Sequence, residues 1–97
     1  MKNKNCYFTI ITNENSLLCV IKNDQSLKYL NSKYPYIIII PKYLKNIINK
    51  LKINNIDYKI INNINTKEVN SALNEFNKTF YLNENILLLK NIDYVFT

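Results

Sequence analysis

The chain has 97 residues, a formal net charge of +6 and 47% hydrophobic residues. That suits one domain, residues 1–97, which buries about two-thirds of its unfolded surface and needs no metal or disulfide scaffold. Histidine, glycine and arginine are absent, which removes the usual base near neutral pH, the backbone from which phosphate cradles are built and the bidentate reader of phosphates and base edges.

Usage leans on Asn, Lys, Ile and Tyr, the products of A/T-rich codons, so the lysine surplus is what codon bias would supply in any case. Wherever a turn or helix end requires positive φ, Asn has to stand in for Gly. No apolar run reaches the length of a membrane span, and residues 1–5 lead to no small-residue cleavage site. The expectation is a cytoplasmic protein without membrane contact.

In chain order, Cys6 to Thr12 and Ser16 to Lys22 are two β-like runs separated by Asn13-Glu14-Asn15, the pattern of a hairpin with a three-residue loop. In that register Thr12 faces Ser16 and Thr9 faces Cys19, so Cys6 and Cys19 point to opposite faces and stay free thiols. Asn23-Asp24 reads as the N-cap of a helix from Gln25 to Lys33, which Tyr34-Pro35 stops. The unbroken run Tyr36-Ile37-Ile38-Ile39-Ile40-Pro41 predicts an interior strand covered on both faces.

Pro41 opens a second helix with Tyr43, Leu44, Ile47, Ile48 and Leu51 on its inner side and Lys42, Lys45, Asn46, Asn49 and Lys52 on its outer side. Asn54-Asn55 ends it, and Ile56 to Ile61 is the next strand. Asn65 and Glu68 resemble a capping box for a third helix with an inner stripe of Val69, Ala72, Leu73, Phe76 and Phe80. After a turn at Asn83 to Asn85, Ile86 to Leu89 reads as the last strand, and the tail from Asn91 to Thr97 packs back as an extended segment. The order β-β-α-β-α-β-α-β predicts an α/β fold with a mixed sheet of about five strands, an N-terminal hairpin followed by parallel βαβ crossovers.

Carboxylates occur singly at Glu14, Asp24, Asp57, Glu68, Glu75, Glu84 and Asp93, and neither Asp57 with Lys59 nor Glu84 with Lys90 has metal-nuclease spacing. The cysteines form neither a C-x-x-C pair nor a zinc set. The sequence therefore predicts no catalytic, metal or cofactor site. Its candidate binding surface is Lys42, Lys45, Asn46, Asn49 and Lys52 with Tyr34 and Tyr36, tyrosine being an interface residue that buries area behind a polar tip. The expected function is a non-catalytic interaction protein on a larger protein or protein–nucleic-acid complex. Size, codon bias and lack of catalytic groups suit a phage or mobile-element inhibitor of a host defence nuclease, anti-CRISPR-like in role. The alternative is a small basic nucleic-acid-binding protein using the Lys face of the second helix, and a homodimer is left open.

Overall fold

The computed structural model describes residues 4–96. Four strands form one parallel sheet in the order β3-β2-β1-β4, with β1 Asn5–Ile10, β2 Tyr36–Pro41, β3 Asp57–Ile61 and β4 Lys78–Tyr81. Three helices connect them: α1 Leu17–Tyr29, α2 Ile48–Ile53 and α3 Thr66–Ala72, with a 3-10 helix over Lys42–Ile47 leading into α2.

The isoleucine run is the centre of the molecule, as its sequence predicts. All six residues of β2 are buried, with Tyr36, Ile38 and Ile40 turned to one core and Ile37 and Ile39 to the other. Leu17, Val20 and Leu27 of α1 and Leu51 of α2 pack on the first face, and Val69 of α3 with Leu73 on the second. Helices on both faces are what a parallel sheet with near-continuous apolar strands requires.

The expected hairpin does not form. Ser16 to Lys22 belongs to the start of α1 and its preceding 3-10 turn, Glu14–Ser16, so β1 pairs with β2 and β4, and among the described residues every strand pairing is parallel. The buried positions Leu17, Val20, Asn23, Asp24 and Leu27 follow helical spacing, and the two polar ones interrupt the apolar stripe by which such a helix is recognised. The cysteines still lie on opposite sides of the sheet, Cys6 in the core beneath α3 and Cys19 on α1, both as free thiols.

The C-terminal third also differs. The third helix stops at Ala72, so Phe80 belongs to β4 and not to a helical stripe. Ile86 to Leu89 is irregular because side-chain groups of Asn23 take its backbone bonds, the Ile86 carbonyl at 2.5 Å and the Leu88 N–H at 2.9 Å. The tail closes as a 3-10 turn, Asp93–Phe96, whose Phe96 enters the α1-side core against Tyr7 and Tyr34. The second helix begins as 3-10, with Leu44 out of helical geometry at φ −106°, ψ 16°.

Asn does take the place of Gly at the helix ends. Asn31 and Asn55 have φ of 58° and 56°. Each follows a helix whose last turn closes with a pair of Schellman bonds, Ser32 N–H to the Leu27 carbonyl with Asn31 N–H to the Lys28 carbonyl in the first, and Ile56 N–H to the Leu51 carbonyl with Asn55 N–H to the Lys52 carbonyl in the second.

Candidate functional site

Open parallel sheets hold ligands beyond the carboxyl ends of their strands, where the strand order reverses. Here that point lies between β1 and β4, since the chain winds from β1 through β2 to β3 on one side and returns to place β4 on the other. The crevice is built from Thr12 and Asn13 after β1 and from Leu82 to Glu84 after β4.

Glu84 fills it. The side chain is only 8% exposed, and its carboxylate accepts from the Thr12 N–H at 2.9 Å, from the Thr12 hydroxyl, from Ser16 and from the Asn13 backbone. Burial by itself would raise its pKa, but these bonds outweigh that cost and hold it below the ordinary carboxylate value. The donors an anionic ligand would use are thus engaged by the chain's own carboxylate. The loop after β3 repeats the arrangement: Glu68 accepts from the Asn62 N–H at 3.0 Å and the Asn63 N–H at 2.8 Å, while the Asn65 side chain caps α3 by accepting from the Glu68 N–H at 2.8 Å.

A buried polar chain lies deeper in the α1-side core. Thr9 donates to the Leu82 carbonyl at 2.7 Å, so its oxygen accepts from the Tyr36 hydroxyl at 2.6 Å. Burial pushes the Tyr36 phenol up to about 12, with the bonds to Thr9 and Asn23 opposing. Among the described residues no buried polar side-chain atom lacks a partner. The network ties β4's exit and the following segment to β1, β2 and α1.

The predicted site residues divide into two groups. Lys42, Lys45, Asn46, Asn49 and Lys52 are all exposed. Lys42 and Lys45 stack one 3-10 turn apart and Asn49 and Lys52 share a face of the helical turns that follow. None of the three lysines forms an ion pair; among the described residues the pairs are Lys28–Asp24 and Lys59–Glu75. Asn46 reaches the Glu14 carboxylate at 3.4 Å, and Tyr43 donates to the Thr12 carbonyl at 3.2 Å, so this segment borders the filled crevice.

Tyr36 and Tyr34 do not join that surface. They lie at the opposite end of β2, where Tyr36 is a core residue at 4% exposure. Tyr34 is half-buried in edge-on contact with Phe96 at 4.5 Å and Tyr7 at 6.4 Å. Aromatic stacking and cationic reach are therefore separated along the strand.

A surface missed in the sequence lies on α1. Leu18, Lys22, Gln25 and Tyr29 recur at i, i+4, i+7 and i+11, which places them on one outward face, and Tyr29 is 86% exposed. Beside it run Leu87 and the 90%-exposed Leu89, and between them is an open groove of about 430 Å³. The helical spacing was available to find it, but only once residues 17–29 are known to be helix. A second apolar depression, about 410 Å³, lies on the α3 side among Phe8, Ile10, Ile64 and Tyr81.

Among the described residues no three Cys, Asp or Glu side chains converge as metal ligands would, and no helix is long and apolar enough to cross a membrane. Comparison of the chain with protein families, curated proteins and solved structures finds no match.

Proposed function

We propose that this chain is a non-catalytic interaction protein that works by covering a surface of a larger protein or protein–nucleic-acid complex. One contrast carries the reading: large apolar side chains stand in water along α1 and the segment beside it, while the crevice in which parallel α/β domains hold small ligands is filled from within by Glu84. Contiguous exposed apolar surface on a small protein is the usual mark of a partner-binding face. Small size, A/T-rich codon usage and a passive surface support the narrower role of a phage or mobile-element inhibitor of a host defence nuclease.

Affinity capture from host lysate, with and without nuclease treatment, tests this. A single protein partner, stoichiometric and retained after nuclease, is the expected result. Loss of every partner on nuclease treatment would overturn it in favour of direct nucleic-acid binding. That second reading draws on Lys42, Lys45 and Lys52, which are exposed and free of ion pairs among the described residues, and it requires binding that falls by about 0.9 logarithmic units per phosphate contacted for each tenfold rise in salt.

A further inference from the structure

We propose that the groove between the outward stripe of α1 and residues 87–89 binds a helical segment of a partner protein, apolar on one side and carrying carboxylates at its border. The inference rests on the interaction-protein reading and assigns its surface.

The shape fits such a ligand. The part of the stripe that lines the groove, Lys22 to Tyr29, rises over seven residues, about 10 Å or two helical turns at 1.5 Å per residue, and Leu18 extends the same face by one further turn. The walls are Tyr29 and Leu30 on one side and Leu87, Leu88 and Leu89 on the other. Both walls are fixed in advance: Asn23, fully buried, holds the Ile86 carbonyl and the Leu88 N–H, and Asn91 donates to the Leu30 carbonyl at 3.1 Å. A preformed groove spares a ligand the cost of ordering it.

The outward leucines lie outside both core clusters. In this extended segment Leu88 turns inward against the core while Leu87 and Leu89 face water. Anchoring the segment requires Leu88 and Asn23, and polar residues at 87 and 89 would serve the fold as well. Groove-bound amphipathic helices are gripped by such anchors, and tyrosine is among the residues that most often carry interface affinity.

Charge selects the occupant. Among the described residues Lys22 is the one ionisable side chain lining the groove apart from the Tyr29 phenol and no carboxylate lines it, and Lys90 follows Leu89 at its end. A second copy would bring Lys22 against the same positive rim on a chain already at +6, whereas a partner helix bordered by Asp or Glu meets it with opposite charge.

Two synthetic helical peptides with identical apolar residues, one bordered by Glu and one by Lys, test the proposal through fluorescence anisotropy and amide chemical-shift mapping. The acidic peptide is expected to bind at least about tenfold tighter at low salt. Its shifts should centre on Lys22, Tyr29 and residues 87–89. Tyr29→Glu and Leu89→Glu each should weaken it by about tenfold or more, and Lys22→Glu should reverse the preference; all three side chains are exposed, so the variants keep the fold. No binding, equal binding of both peptides, or shifts centred on Phe8, Ile10 and Tyr81 would overturn the proposal. So would a dimer in sedimentation that Leu89→Glu dissolves. A captured partner that Tyr29→Glu and Leu89→Glu retain at wild-type level refutes the groove and leaves the interaction reading standing, whereas loss of every partner to nuclease refutes that reading.

Discussion

Glu84 shows what one side chain does where glycine is missing. Lacking a Gly-rich loop, the turn after β1 still presents N–H and hydroxyl groups at a switch point, and a buried carboxylate from the far end of the chain satisfies them. Replacing Glu84 by Gln is expected to cost about 1.5–3 kcal/mol at pH 7, the range for hydrogen bonds to a charged group, measured by urea unfolding. Its folded pKa is depressed, so its contribution is present above the ordinary value of 4.5 and is lost as pH falls through the lower folded value. Asp93, bonded to Tyr7, Ser32 and the Lys33 N–H, acts in the same direction. Asp24 opposes both, because burial raises its pKa beyond what Lys28 restores. The difference between wild type and Glu84→Gln should therefore shrink below pH 4.5, and a difference constant down to pH 2 would contradict this. The thiols make a second residue-scale prediction. Burial pushes Cys6 up to about 12, and the side chain is wholly enclosed. Cys19 is half-exposed on α1, its sulfur 3.4 Å from the Ile86 carbonyl. Iodoacetamide at pH 8 followed by mass spectrometry should label Cys19 alone in native protein and Cys6 only after unfolding; equal rates would refute the packing of β1 under α3.

Among the elements, α1 carries the most structure for the least sequence signal. Its inner face includes Asn23 and Asp24, both buried, so the apolar period breaks in the middle of the helix and the residues before the break imitate a strand. Asn23 belongs inside because it replaces the ladder partner that residues 86–88 do not have. Substituting it by Ala leaves a carbonyl and an N–H unpaired, at a cost of about 2–3 kcal/mol. Native-state hydrogen exchange should show the Leu88 amide losing protection while the β2 amides keep theirs. Unchanged protection at Leu88 would show that packing of Leu88 alone holds the segment. The β2 strand is the opposite case. Four isoleucines in a row satisfy two cores at once, so their placement could be read without knowing what covers them.

For the molecule as a whole, the question is whether +6 is a working charge. Lys42, Lys45 and Lys52 to Glu changes no buried residue, and by removing two charges per position it brings the formal +6 to neutrality. If a protein partner is the target, this triple variant should slow association several-fold while the dissociation rate changes by less than about threefold, as expected of rim charges. Surface plasmon resonance against the captured partner measures both rates. A collapse of binding that is uniform across nucleic-acid sequences, with a salt slope shallower by about 2.7 units, would identify phosphate contacts instead.

The sequence alone determined the interior strand, the helix end at Asn55 where Asn must replace Gly, the capped start of α3 at Asn65, and the exposed lysine face after Pro41, whereas the first helix, expected from Gln25 to Lys33, runs from Leu17 to Tyr29 and ends at Asn31. Each depends on a neighbour within a few residues or on an apolar run that admits one environment. The tertiary structure decided the rest: that Leu17 to Tyr29 is helix, that Lys78 to Tyr81 pairs with β1 although all four residues are exposed, and that Glu84 reaches back across 72 residues to Thr12. A short apolar run has nearly the same pattern in a strand, a helix turn or an anchored loop. Only the partners brought to it by the rest of the fold, here Asn23 for residues 86–88 and β1 for β4, select which backbone bonds it makes.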